Sequence, residues 1–207
     1  MKQKLNLDTW NRKEHFLFFK QMEEPFFGIT TTIDCTLAYE KAKALNISFF
    51  TYYLHKTLYA VNKIEPFKYR IINDEVYLFD KIDASPTILR DDKTFGFSYM
   101  NFVEDIHEFA EIVSEEIERI QNTEGLFTRL FPENLIHFSA LPWINFTSFS
   151  HARSYTFPDS CPKISFGKMM DENGKKTMSI SVHVHHGLMD GYHVGEFVNL
   201  LQKLMND

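Results

Sequence analysis

The chain has 207 residues, a length that fits one domain, and we expect a single domain over residues 1–207. Hydrophobic residues make up 44% of the sequence and aromatic residues 15%, with 21 phenylalanines, which supports a large core and argues against intrinsic disorder. The net charge of −6 argues against a nucleic-acid-binding surface, because such a surface needs clustered Lys and Arg.

In its first half the chain changes several times between helical and extended patterns. A period of three to four residues in the apolar positions predicts a helix, and β-branched or alternating runs predict strands. The predicted helices cover residues 11–22, 37–45 and 48–63, with Phe16, Phe19 and Met22 on the inner side of the first. The predicted strands cover residues 27–35, 69–72 and 76–79, and the last two form a hairpin.

The second half continues this mixture and ends on a helix. The clearest amphipathic pattern predicts a helix over residues 105–122, and a final helix is predicted over residues 191–205. Strands are predicted over residues 83–89, 94–101, 135–141, 144–149, 162–170 and 177–185, the last two joined by a tight Asn173-Gly174 turn. Because strands and helices interleave without a strict βαβ rhythm, we predict a two-layer α/β sandwich with a mixed β-sheet covered by helices.

The cysteine content and the N-terminal segment indicate the cellular compartment in which we expect the protein. The two cysteines, Cys35 and Cys161, match no metal-binding or redox spacing. Residues 1–6 lack the apolar region of a signal peptide, and no apolar run is long enough to span a bilayer. We therefore expect a soluble cytoplasmic protein.

The strand predicted over residues 177–185 has chemically distinct faces and leads into two adjacent histidines. Alternation separates an apolar face from a polar face that carries Ser179, Ser181, His183 and His185. His186 has the parity of the apolar face but lies where the strand ends. Partial desolvation there would keep its imidazole neutral and able to accept a proton.

Two other interpretations of the histidines remain open from the residues alone. His186 could be a structural histidine at the edge of the core, with Asp190 serving only as the N-cap of the final helix. A zinc site could draw on His183, His185, His186 and His193. The zinc interpretation is weak, because strand alternation sends His185 and His186 to opposite faces.

Three motifs resemble those of the chloramphenicol acetyltransferase family, in the family's order and over about residues 7–204. Residues 185–195 read HHGLMDGYHVG and are similar to its histidine signature. Residues 10–16 read WNRKEHF and residues 141–149 read LPWINFTSF, similar to its opening and central motifs. The resemblance implies a soluble acetyltransferase that uses acetyl-CoA as co-substrate and no metal.

The resemblance also implies a role for individual residues. His186 would take a proton from an acceptor hydroxyl that attacks the thioester of acetyl-CoA directly, without an acyl-enzyme. Ser148 would stabilise the oxyanion, and Asp190 would pair with Arg12 to hold the turn that orients His186.

Two further positions match cofactor-binding residues of the family. Ser165 lies where the family usually has a threonine that holds a water, and this change keeps the hydroxyl. Lys168 is a candidate contact to a phosphate of acetyl-CoA. Both are expectations from the resemblance.

The resemblance further implies a homotrimer with active sites between subunits, acting on a small hydroxylated acceptor and conferring antibiotic resistance. Residues 21–27 and 95–99 depart from the family pattern near the expected acceptor site. Chloramphenicol is therefore the leading acceptor, and another hydroxyl or amino acceptor is the alternative. A dihydrolipoamide-type acyltransferase and a non-catalytic trimeric binding protein are the remaining hypotheses.

Overall fold

Helices and strands interleave along the chain in the computed structural model, which describes residues 1–153 and 159–207. The helices are α1 (Lys13–Phe19), α2 (Thr36–Ala44), α3 (Phe49–Lys63), α4 (Ile106–Gln121) and α5 (Gly191–Asn206), with a short 3₁₀ helix at Glu65–Lys68. The strands are β1 (Lys2–Lys4), β2 (Phe26–Asp34), β3 (Tyr69–Ile72), β4 (Glu75–Phe79), β5 (Asp83–Leu89), β6 (Phe95–Phe97), β7 (Leu135–Ala140), β8 (Lys163–Phe166), β9 (Met170–Glu172) and β10 (Lys175–His185). Within these ranges no helix is long and apolar enough to cross a membrane.

The main sheet is mixed, with strand order β2-β10-β8-β7-β5-β6 and β9 paired to β10 as a hairpin. The β5–β7 and β7–β8 pairs are parallel, and the other pairs are antiparallel. A second, antiparallel sheet has the order β1-β4-β3. This arrangement confirms the predicted mixed sheet covered by helices.

The two faces of the main sheet differ sharply in chemistry. One cross-strand row consists of Phe138, Ile164 and Val182, which are buried beneath the helices. Tyr53 of α3 packs on Phe138 and on Phe166. Side chains alternate between faces along a strand, so the neighbouring rows belong to the opposite face. Those rows are polar: His137, Lys163, His183 and Gly28 in one, and Ser139, Ser165, Ser181 and Thr30 in the other.

Turn and cap residues fix several boundaries in the way that the sequence predicts. The β3–β4 turn places Asn73 and Asp74 at φ 52° and 63°, and the β9–β10 turn places Asn173 and Gly174 at φ 55° and 86°. Positive φ at both central residues is the requirement of a type I′ hairpin turn. Ser48 caps α3 by accepting a hydrogen bond from the Thr51 backbone N–H at 3.0 Å.

The prediction of a strand over residues 144–149 is wrong. After β7 the chain turns, since the Ile144 N–H donates to the Leu141 carbonyl at 3.2 Å. Both edges of β8 are already paired, with β7 and with β10, so this segment finds no adjacent strand to join. It crosses the polar face instead, where Phe149 packs on His183.

Smaller corrections concern the ends of the elements. Strand β1 was not predicted from the sequence, because its three residues form a strand only by pairing with β4, which is distant along the chain. The first helix ends at Phe19, so Met22 lies beyond it and is 41% exposed. Strand β6 has only three residues, within a region predicted to be extended over residues 94–101.

Gly28 lies beneath the imidazole of His183 on the polar face, and this contact yields a stability prediction. A Cβ at this position would lie 2.3 Å from His183 Nε2. We expect Gly28→Ala to destabilise the protein by about 1–3 kcal/mol, as overpacking of a filled site does. Urea denaturation measures the change.

Gly195→Ala is the matched control, because a Cβ at Gly195 in α5 has no heavy atom within 4 Å. Replacing a helix-interior glycine by alanine should stabilise by roughly 0.5–1 kcal/mol. Equal and small effects of the two substitutions would contradict the close approach at Gly28.

Candidate active site

The turn between β10 and α5 holds His186 by its backbone. The His186 N–H donates to the Pro25 carbonyl at 2.8 Å, and its carbonyl accepts a hydrogen bond from Arg12 Nη2 at 3.2 Å. The turn closes with the Leu188 N–H bonded to the His185 carbonyl at 2.9 Å. Three separate segments of the chain therefore fix the main chain at this histidine.

The ring of His186 is held by aromatic side chains. It stacks on Phe19 with centroids 4.0 Å apart and an interplanar angle of 8°, and Phe27 lies against it at 4.6 Å. Nδ1 is buried and has no hydrogen-bond partner among the described residues. The side chain as a whole is half-buried, so the ring is oriented by packing.

His185 lies in a different environment from its neighbour. Its side chain is buried, and burial together with the positive charge of Arg153 lowers its pKa to about 4. Nδ1 of His185 accepts a hydrogen bond from the Gly187 N–H at 3.1 Å. A buried neutral histidine that already accepts a backbone hydrogen bond has a structural role in the turn.

Asp190 joins the turn to the start of α5. Its carboxylate accepts a hydrogen bond from Arg12 Nη1 at 2.8 Å and one from the Tyr192 N–H at 3.1 Å, so it is both ion-pair partner and N-cap. Partial burial raises the pKa of this carboxyl, but Arg12 and His193 outweigh that effect and hold the pKa below its ordinary value. Arg12 itself is buried. One guanidinium therefore bridges the Asp190 carboxylate and the His186 carbonyl.

Ser148 is exposed and lies in the segment that crosses the polar face of the sheet. Its neighbour Phe149 packs on His183. The His186 ring instead contacts Phe27, which pairs with Val184 and shares its apolar face. Within one chain, the two predicted catalytic residues therefore belong to opposite faces of the β2–β10 pair.

The two predicted cofactor-binding residues also lie in contrasting positions. Ser165 is fully buried on the polar face, and its Oγ has no hydrogen-bond partner among the described residues. Lys168 is exposed just after β8, where its backbone N–H donates to the Ile144 carbonyl at 2.8 Å. The orphaned hydroxyl can bond a bound molecule or water, and the ammonium group of Lys168 is accessible to an anion.

Sequence reasoning missed the aromatic contacts that orient the His186 ring. The spacing of Phe19 predicts the inner side of the first helix, but nothing in that spacing indicates that it stacks on a histidine far along the chain.

The described ranges contain no group of three or more His, Cys, Asp or Glu side chains arranged to hold a metal ion.

Comparison with known proteins identifies the family. The sequence profile of the family described as chloramphenicol acetyltransferase matches residues 2–202. Chloramphenicol acetyltransferase 3 of Escherichia coli is 30% identical over 205 residues, covering 98% of this chain and 96% of that protein.

Solved structures agree with this assignment. A chloramphenicol acetyltransferase structure matches with a TM-score of 0.89 and 30% identity, covering 99% of this chain and 100% of that one. The cubic core of the pyruvate dehydrogenase multienzyme complex matches with a TM-score of 0.67 at 13% identity, a likeness of fold alone. The chain therefore belongs to the chloramphenicol acetyltransferase family, and it is an acetyl-CoA-dependent acetyltransferase.

Proposed function

We propose that this enzyme moves the acetyl group of acetyl-CoA to a hydroxyl of chloramphenicol, with His186 as the general base. The observation that carries the proposal is the placement of His186, whose backbone is bonded to Pro25 and Arg12 and whose ring is stacked on Phe19. A base must be held in one orientation to be effective, and this one is fixed at both main chain and ring. Transfer to the drug would confer resistance.

The proposed reaction proceeds within a ternary complex. Because Nδ1 of His186 is buried, Nε2 is the nitrogen that takes the proton as the acceptor oxygen attacks the thioester carbonyl. The tetrahedral oxyanion accepts a hydrogen bond from the Ser148 hydroxyl. Collapse breaks the C–S bond, and the CoA thiolate takes the proton from the imidazolium. No acyl-enzyme forms, so the kinetics are sequential.

Arg12 and Asp190 act as positioning residues in this scheme. Arg12 restrains the His186 carbonyl and Asp190 at the same time, which sets the turn that presents the imidazole. Neither residue needs to touch the substrates. Their role is to keep the base in the geometry that proton transfer requires.

Acetyl-CoA is the second substrate in the proposal. The Ser165 hydroxyl would bond it through a water, and Lys168 would contact one of its phosphates. The buried orphan Oγ of Ser165 and the exposed ammonium of Lys168 suit these two roles.

The proposed assembly is a homotrimer whose active sites lie between subunits. Large apolar side chains remain exposed on the single chain, including Leu130 (97%), Phe127 (71%), Trp143 (64%) and Ile144 (54%). Contiguous patches of exposed apolar side chains are characteristic of association surfaces. Because Ser148 and His186 belong to opposite faces of one chain, a site that uses both would pair Ser148 of one subunit with His186 of the next.

The first prediction tests the reaction. Purified protein, acetyl-CoA and chloramphenicol should release CoA, detected with a thiol reagent, in proportion to the drug acetylated. His186→Asn keeps a planar polar group against Phe19 but removes the base, and should lower kcat by about 10²–10⁴-fold.

The control for this assay is His15→Gln, since His15 is an exposed histidine of α1. It should retain full activity. CoA release that does not depend on chloramphenicol, or that survives in His186→Asn, would refute the proposal. If the enzyme acetylates another hydroxylated or amino compound instead of the drug, only the choice of chloramphenicol as acceptor is refuted.

The second prediction concerns the Arg12–Asp190 pair. Asp190→Asn keeps an N-cap but removes the charge, and Arg12→Ala leaves the carboxylate without its partner. Because the Asp190 side chain is 34% exposed, we expect a modest loss of about 1–3 kcal/mol in either variant, together with reduced kcat. Thermal denaturation and initial rates measure the two effects.

Lys13→Ala is the matched control, because the neighbouring Lys13–Asp8 pair is exposed on both sides. Such a pair should contribute little to stability, because solvent screens the two charges. His186→Asn should keep the wild-type melting temperature. If all of these variants have the same melting temperature, Arg12 and Asp190 have no structural role in the turn.

The third prediction tests the shared site. Ser148→Ala should lower kcat by about 10²–10³-fold. Refolding equal amounts of Ser148→Ala and His186→Asn together should restore activity at about a quarter of the sites, where an intact histidine of one subunit meets an intact serine of another. Activity no higher than that of the separate variants would place both residues in one chain's site.

A further inference from the structure

Gly167 follows β8 directly and lies against the segment that carries Ser148. The φ angle of Gly167 is not positive, so its backbone conformation does not require glycine. The lack of space does require it: a Cβ at this position would lie 2.2 Å from Ser179 Oγ, 2.9 Å from the Ile144 carbonyl oxygen and 3.2 Å from the Phe146 ring. Carbon atoms make their best contacts at about 3.5–4.0 Å. The missing side chain therefore allows the segment to lie directly on the sheet.

The backbone on either side of Gly167 is bonded to the same segment. The Phe166 carbonyl accepts a hydrogen bond from the Leu141 N–H at 2.8 Å, and the Lys168 N–H donates to the Ile144 carbonyl at 2.8 Å. The Ile144 N–H donates to the Leu141 carbonyl at 3.2 Å and closes the turn between these two bonds. A Cβ on Gly167 would therefore press on the carbonyl that anchors the segment.

The segment makes a second contact with the sheet at His183. Phe149 packs on the His183 ring with centroids 6.5 Å apart, and His151 lies across the same ring at 4.8 Å. Phe146, which is 8% exposed, packs on Phe149 at 5.3 Å and joins the two contacts. Ser148 thus lies in a stretch of chain that is packed on the sheet at both ends.

This packing sets the position of Ser148, because its own side chain is exposed. A hydrogen-bond donor to an oxyanion is effective only within a narrow distance range, about 2.7–3.1 Å. A displacement of about 1 Å at a reacting group can cost on the order of 10²-fold in rate. The Ser148 hydroxyl is therefore sensitive to anything that lifts its segment from the sheet.

The atoms close to Gly167 differ in how easily they can move. The Ser179 hydroxyl is buried and has no hydrogen-bond partner among the described residues, so it can rotate away from an added methyl group. The Ile144 carbonyl belongs to the backbone and is bonded to Lys168, so it can move only together with its segment. The contact with Ile144 is therefore the one that reaches Ser148.

We propose that Gly167 is a positioning residue of the acetyl transfer, because it lets residues 144–149 lie close enough to the sheet to hold the Ser148 hydroxyl at the oxyanion. This inference rests on the role proposed above for Ser148. Gly167 touches neither substrate in this scheme and acts through the Ile144 carbonyl and the Phe146 ring. The His186 ring lies on the other face, against Phe27, and is not affected.

The test measures kcat and both KM values of Gly167→Ala with acetyl-CoA and chloramphenicol. We expect kcat to fall by about 10–10²-fold, because the Ser148 hydroxyl is displaced. Both KM values should stay close to those of the wild type, because the weakened hydrogen bond is made only in the transition state.

A double-mutant cycle with Ser148→Ala distinguishes positioning from general damage. Gly167→Ala should have little further effect on kcat in the Ser148→Ala background, because the donor that it displaces is already absent. Independent damage to the fold would instead multiply the two losses.

A second pair of variants separates the effect on the segment from the effect on the sheet. Gly167→Ala combined with Ser179→Ala removes the nearest obstacle but keeps the Cβ 2.9 Å from the Ile144 carbonyl, so kcat should stay low. Ser179→Ala alone should keep the wild-type kcat.

Gly195→Ala is the matched control for the added methyl group, because no heavy atom lies within 4 Å of that Cβ. It should keep the wild-type kcat, and circular dichroism checks that each variant is folded. If Gly167→Ala alone does not fold, the combined variant and Phe146→Leu take its place. Phe146→Leu weakens the same contact from the side of the segment and should lower kcat without changing KM.

Three results would overturn the inference: full kcat in Gly167→Ala, a loss that multiplies with that of Ser148→Ala, or recovery of kcat on adding Ser179→Ala. A rise in the KM for acetyl-CoA with unchanged kcat would also overturn it, since Gly167 would then act on cofactor binding through Lys168. Full kcat in Ser148→Ala would instead refute the proposed role of Ser148 itself.

Discussion

The hydrogen bonds of Arg12 connect the two ends of the chain at the point where the chemistry is proposed to occur. One guanidinium bonds the His186 carbonyl and the Asp190 carboxylate, and Asp190 also caps α5. The planar fork of arginine suits this double contact, since it offers several donors in fixed directions. A single buried side chain therefore links the base, the start of the last helix and the N-terminal segment.

The division of the main sheet into two faces explains why the fold can carry a site at all. Apolar rows such as Phe138, Ile164 and Val182 pack against the helices and supply the stability. The opposite face does not need to be apolar, and it carries serines, histidines and a lysine. Polar groups on a rigid sheet are preorganised, which is the condition for binding and for proton transfer.

Local patterns predicted much of the architecture because the forces behind them are local. The alternation in β10, the apolar stripe of α4 and the Asn-Gly turn each reflect geometry within one element. Residues 144–149 have the composition of a strand but no sheet edge to join, and β1 forms only because β4 has an edge available. Strand formation requires a partner, which composition does not reveal.

By itself, the sequence determined the parity that separates His185 from His186, because strand alternation is a property of a short stretch of chain. The partnership of Asp190 with Arg12 was implied by the family resemblance, and the structure shows the ion pair. Only the tertiary structure decided that Phe19 stacks on His186 and that Ser148 belongs to the opposite face. Each of these contacts joins residues distant in sequence, and their meeting depends on how the whole sheet is assembled.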